Sequence, residues 1–196
     1  MKSVLTCVLA VSAAAALSAD IRASKRDADV LKQKVAVIQS FADKPTRQAN
    51  RTTVTENEVN AYLAFDAQPQ LPAGVVDPAV TILGTGRVSG RAVVDLDAVR
   101  RAKATQSWFE PTNYLTGRLP VVATGRLTTT NGVGRFALES ASVGGVPVPK
   151  LLLQEIVSYY SRTAENPTGI NIDDPFALPA RIREIQVERG HAIIVQ

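Results

Sequence analysis

The sequence predicts an α+β fold, a curved antiparallel sheet of hairpins packed against helices. Three observations predict it. Apolar residues recur at i, i+3 and i+4 before residue 66 and again after residue 149, the period of half-buried helices. Between these stretches and after them the pattern changes to alternation, the period of strands. Gly84-Thr85-Gly86, Asn131-Gly132 and Arg189-Gly190 cut the alternating stretches into neighbouring pairs, and short turns of this kind join antiparallel strands.

The N-terminus reads as a secretion signal over residues 1–19. Met1-Lys2 is a short basic region, Val4 to Leu17 is apolar and Ala-rich, and Leu17-Ser18-Ala19 offers small residues for cleavage. The apolar run is shorter than the roughly 20 residues a bilayer span needs. The expected location is therefore periplasmic or secreted. Cys7 is the sole cysteine and lies inside this segment. Cleavage after Ala19 leaves a chain with no disulfide, thiol nucleophile or thiolate metal site.

Residues 20–53 are expected to form an amphipathic helix and a linker, followed by a single α+β domain over residues 54–196. In the helix, Ser24 to Asp43, the stripe is Ala28, Leu31, Val35, Ile38 and Ala42. Lys25, Arg26, Lys32 and Lys34 form a basic flank suited to an anionic membrane surface. A polar linker, Lys44 to Thr53, separates it from the rest, so this helix is expected to be the most weakly attached.

Thr55-Glu56-Asn57-Glu58 is a capping box, in which the hydroxyl and the second glutamate satisfy each other's backbone N–H groups. It opens a short helix through Phe65, with Val59, Tyr62 and Leu63 inward. Strands are expected at Val80–Leu83 and Val88–Asp97, then an irregular stretch carrying Trp108-Phe109. A second hairpin covers Leu119–Thr130 and Gly134–Val143. A helix from Lys150 to Glu165 has Leu152, Ile156 and Tyr159 or Tyr160 on its apolar side. A last hairpin pairs Arg181–Glu188 with His191–Gln196.

Catalytic constellations are wanting. His191 is the one histidine and lacks partners in its pattern. Asp95 and Asp97 fall on one face of the expected strand and could hold a cation, but a solvated edge explains them more simply. Asp173-Asp174 reads as a loop cap. No enzyme, cofactor or metal is expected. The net charge of +4 is spread among acids, and no aromatic-basic cluster points to nucleic acid.

The run Thr55-Glu56-Asn57-Glu58-Val59-Asn60-Ala61-Tyr62-Leu63, the paired strands, Gly144-Gly145-Val146-Pro147-Val148-Pro149 before an apolar helix, and Phe176-Ala177-Leu178-Pro179 before the last hairpin carry a resemblance. The chain resembles bacterial envelope proteins of the tubular lipid-binding superfamily, of the LmeA-like and YpmS-like kinds. The resemblance implies a long helix wrapped by a curved sheet, an acyl chain held between them, and no catalytic residues.

The function expected from these readings is an exported envelope protein that binds a lipid or other apolar ligand. Its groove would lie between the Lys150–Glu165 helix and the inner sheet face. The expected lining is Leu152, Ile156, Tyr159, Tyr160, Phe136 and Leu138, residues that plain core packing would also use. The alternative is a non-enzymatic scaffold or interaction module of the envelope with a solid core and a protein partner.

Overall fold

The computed structural model describes residues 23–43, 48–102, 116–162 and 166–196, and the side chains of Arg100, Ala102, Tyr159 and Tyr160 lie outside that description. The expected signal segment and the Trp108-Phe109 pair also lie outside the described residues. Within them the chain is α+β, with antiparallel sheets of three and six strands that do not close into a barrel.

Ser24 starts helix α1 (Lys25–Ala42): its extended backbone leaves the hydroxyl free to accept from the Asp27 N–H at 3.1 Å. Ala28, Leu31 and Ile38 are buried, and α1 packs on α2 (Glu56–Phe65) more than on any other element. Burying Leu31 and Ile38 contributes about 1.5–3 kcal/mol each. The basic flank turns inward as well. Lys34 Nζ donates to Glu58 at 2.6 Å and to the Thr53 carbonyl at 2.7 Å, while Lys25 and Lys32 converge on Asp66 at 2.8 and 3.1 Å. Three of the four basic groups that fitted a membrane surface therefore have acidic partners within the protein.

The expected linker ends early, because Arg51–Thr55 forms strand β1. The capping box is present: the Glu58 N–H donates to Thr55 Oγ1 at 3.3 Å, and the Thr55 N–H donates to Glu58 Oε2 at 3.0 Å. The buried side of α2 is Glu58 and Ala61, with Val59, Tyr62 and Leu63 only half-buried. The reason is the Lys34–Glu58 pair, which draws the glutamate under α1.

The larger sheet is built from β2 (Val75–Gly84), β3 (Arg87–Asp95), β4 (Arg118–Thr130) and β5 (Val133–Val143), with two short strands, β6 (Val146–Pro147) and β7 (Phe176–Ala177), on the far side of β5. Its register shifts at Val76/Ala79, Ile82/Gly84 and Thr124/Gly125. Each such bulge bends its strand and increases the local twist. The smaller sheet orders β1 beside β9 (His191–Val195) and β8 (Glu184–Glu188).

Side chains join the two halves. Glu56 Oε2 accepts from the Ile82 N–H at 2.7 Å on the outer edge of β2. Thr129 Oγ1 accepts from the Ile185 N–H at 2.8 Å and donates to the Ile185 carbonyl at 3.1 Å, tying β4 to β8. Helix α3 (Leu96–Ala102) follows β3 directly, and α4 (Lys150–Tyr160) follows β6.

Candidate functional site

The register of the larger sheet sorts its residues into two unlike faces. One face takes Val80 and Ile82 from β2, Val88, Ala92 and Val94 from β3, and Leu119, Val121, Ala123 and Leu127 from β4. Phe136, Leu138 and Ala141 continue it on β5. The opposite face carries Arg91, Val122, Arg126, Thr128 and Glu139, all exposed. Of the apolar face, only Ile82 and Ala141 among these hydrophobic residues are buried; the others are half-buried.

Two glycines set the relief of this face. A Cβ at Gly125 would lie 2.4 Å from the Phe136 ring, and one at Gly134 would lie 2.5 Å from the Phe176 ring. Phe136 therefore lies across β4, and Phe176 lies over β5. Both rings occupy space that a side chain at the glycine would fill.

Of the six residues expected to line one groove, two lie on the apolar sheet face and two on α4, a helix that touches β5. Phe136 and Leu138 are on the apolar sheet face. Leu152 and Ile156 are 48% and 38% exposed on the open side of α4, next to Leu151 at 74%. Tyr159 and Tyr160 have side chains outside the described residues. The orientation of α4 has a polar cause. Gln154 donates to the Ile170 carbonyl at 3.1 Å and accepts from the Ile172 N–H at 2.7 Å. Ser161 Oγ accepts from the Ile170 N–H at 2.7 Å. The polar side of the helix thus holds the 170–172 loop, and Leu151, Leu152 and Ile156 turn away. The helix also stops at Tyr160, short of the expected Glu165.

Asp95 and Asp97 do not share a strand face. The strand ends at Asp95, whose Oδ1 accepts the Ala98 N–H at 2.9 Å and so begins α3. That bond, assisted by Arg118 at 3.3 Å, holds the Asp95 carboxyl below its ordinary range. Asp97 instead accepts from the Gly117 N–H at 3.1 Å. His191 sits between Glu188, at 3.1 Å, and the Arg189 carbonyl, at 3.2 Å. Among the described residues no group of three His, Cys, Asp or Glu side chains is placed to hold a metal ion.

One concavity was not legible in the sequence. It is an open cleft of about 570 Å³ at the C-terminal end of α1. Phe41, Gln48, Asn131, Leu178, Arg181 and Arg183 are among the residues that line it. Gln196, 5% exposed, is its floor: the side-chain amide donates to the Ile38 and Ala180 carbonyls at 2.8 and 2.7 Å and accepts from Asn50 at 3.1 Å. Ala180 and Arg181 have φ of 52° and 55°, two successive left-handed residues without glycine. Each such residue costs roughly 1–2 kcal/mol, so the surrounding bonds hold this bend against its own preference. The only sequence signal was the pair of arginines flanking Ile182, which is buried.

No family model matches the chain, and no curated protein matches it. Among solved structures, the crystal structure of a lipopolysaccharide binding protein is similar at 16% identity, over 74% of this chain and 40% of that one, with a TM-score of 0.23. The chain thus spans well under half the length of that protein, and a score this low carries no weight on fold or ligand.

Proposed function

We propose that the protein is an exported, non-enzymatic envelope protein that holds the acyl part of a lipid against the apolar face of its larger sheet. The observation that supports this is the incomplete burial of that face. Its aliphatic residues lie on adjacent strands in register, yet most stay half-buried among the described residues. Covering them with a ligand's hydrocarbon contributes about 0.8 kcal/mol per methylene removed from water. The sequence resemblance to tubular lipid-binding proteins points the same way, and the signal-like residues 1–19 supply the export.

The experiment is extraction of the mature chain, produced in its envelope, followed by mass spectrometry and titration with a fluorescent fatty acid. Co-purified lipid and saturable uptake are expected. Val121→Asn, at the centre of the face, should weaken uptake about tenfold by placing an unpaired amide against the chain. No lipid and no uptake would overturn the reading.

One observation favours the alternative of a protein-binding module. Between the ends covered by β7 and β6, residues Arg135–Ser140 of β5 have no outer strand partner among the described residues. An open edge of this kind can pair with an extended peptide. A solid core, no lipid, and one partner crosslinked to residues 135–140 would establish that reading instead.

A further inference from the structure

The face of the larger sheet opposite the apolar one gathers arginines. The register sets Arg87 on β3 directly across from Arg126 on β4. It places Arg91 on the same face of β3, and Arg135, across from Thr128, on the same face of β5. Like charges in directly opposed positions destabilise a strand pair. One carboxylate relieves this pair: Glu139, the extra residue at the Thr124/Gly125 bulge, lies 2.8 Å from Arg87 and 3.6 Å from Arg126. Arg126 also donates to the Thr85 carbonyl, a neutral group that leaves its charge in place. Arg91 and Arg135 are exposed, and neither has an ion pair or a hydrogen bond among the described residues. At the far end of the face Arg118 and Asp95 offset each other at 3.3 Å. Four arginines thus share one glutamate, and the balance is positive.

The spacing of these groups limits the partner. Arg87 and Arg91 are four residues apart on one strand, about 13 Å, and β3 to β5 is a further two strand spacings across, about 10 Å. One small anion cannot span such a face. A plane of anionic head groups can, because each guanidinium then meets its own pair of oxygens. No aromatic side chain of β3, β4 or β5 lies on this face, so it lacks the rings on which the bases of a nucleic acid stack. Helix α1, whose basic flank fitted a membrane in the sequence, has Lys25, Lys32 and Lys34 paired with Asp66 and Glu58 instead.

We propose that the arginine face of β3, β4 and β5 docks on the surface of a bilayer that contains anionic phospholipid. It is the reverse of the apolar face and does not depend on a lipid being held there.

The test is co-sedimentation of the full mature chain with vesicles of phosphatidylcholine alone and with equimolar phosphatidylcholine and phosphatidylglycerol. Binding to the anionic vesicles only, weakened by added salt, is expected. Arg91→Gln and Arg135→Gln should each weaken it about fivefold, the share of one basic residue near an anionic surface. Both side chains are exposed and unpaired, so these variants should fold as the parent does, which circular dichroism checks. Arg91→Lys and Arg135→Lys keep the charge and should restore binding. Arg26→Gln, on α1, and Val121→Asn, on the apolar face, should leave it unchanged, so failure here and failure of the acyl-holding reading are told apart. The proposal is overturned if neutral vesicles bind equally well, or if the folded double variant Arg91→Gln/Arg135→Gln binds as the parent does. It is also overturned if Arg26→Gln abolishes binding, which would make α1 the membrane side, or if single-stranded polythymidine binds as tightly as the anionic vesicles.

Discussion

Asn60 and Val80 are joined by two hydrogen bonds: Asn60 Nδ2 donates to the Val80 carbonyl at 2.8 Å, and the Val80 N–H donates to Asn60 Oδ1 at 2.7 Å. A side-chain amide thus occupies the place of a neighbouring strand on the outer edge of β2. With Glu56 on the Ile82 N–H, helix α2 closes an edge that would otherwise recruit other chains.

Asn60→Ala should therefore do two things. It leaves both groups of Val80 without these partners, which costs about 1–3 kcal/mol if water does not replace them fully. It also opens the edge, so concentration-dependent association should rise. Urea unfolding and light scattering check the pair. An unchanged midpoint with no new association would show that the amide bonds contribute nothing.

The second prediction concerns acid. The bond from Lys25 draws the Asp66 carboxyl below its ordinary value; shielding of the carboxylate opposes this, and the bond from Lys32 adds to the lowering. Asp95 is lowered in the same direction, chiefly by the Ala98 N–H. A folded pKa below the unfolded one stabilises the fold at pH above the unfolded value, about 3.9. That contribution fades as the pH falls through the lower folded value. The stability difference between the parent chain and Asp66→Asn should thus shrink as the pH is taken below about 4. A difference independent of pH would show that Asp66 titrates alike in both states.

Local signals in the sequence survived into the structure because both partners of each interaction lie within one turn. Thr55 with Glu58 is such a pair, and Asn131-Gly132 takes the left-handed backbone its hairpin needs, with φ of 51° and 82°. The alternation along β3 and β4 likewise gave the two faces of the larger sheet. Asp95 was legible as a polar strand residue but acts as the cap of α3, a choice settled where the strand stops. The stripe of α4 was visible, yet its direction depends on Gln154 and Ser161 meeting a loop ten or more residues away in some cases, and periodicity cannot tell which side of a stripe faces the protein. The cleft is less legible still, since Phe41, Asn131, Arg183 and Gln196 are brought together only by the finished fold.

The third prediction follows from Gly125. A methyl group there would meet the Phe136 ring at 2.4 Å and the Ala137 carbonyl at 2.6 Å. The ring can swing away, but the carbonyl belongs to the paired strand. Gly125→Ala should cost about 1–3 kcal/mol, the usual range for overpacking, and should displace Phe136 from the apolar face. Unfolding in urea reads the cost, and aromatic proton shifts read the ring. A neutral substitution would mean that β4 and β5 part easily at their bulge.

The fourth prediction addresses α1. Ala28, Leu31 and Ile38 are buried against the rest of the chain, and Gln196 bonds the Ile38 carbonyl. Leu31→Ala should cost about 2–4 kcal/mol. A chain beginning at Thr52 also loses Lys34, which would leave Glu58 without its charge partner. That chain should lose cooperative thermal unfolding, and retention of a sharp transition would show that the helix is an appendage.

The last prediction separates the two sides of α4. Leu151 and Leu152 are 74% and 48% exposed, whereas Gln154 carries bonds to the Ile170 carbonyl and the Ile172 N–H. A leucine left mostly in water gains little from folding, so Leu151→Ser should change stability by no more than about 0.5 kcal/mol, and Leu152→Ser, which is about half covered, by no more than about 1 kcal/mol. Gln154→Ala removes a donor and an acceptor together and should cost about 1–2 kcal/mol, an inversion of the usual ranking of leucine above glutamine. Chemical unfolding of the three variants decides it. If either leucine variant costs more than the glutamine variant, the apolar side of α4 is covered in solution, and the helix packs on the protein with its hydrophobic stripe after all.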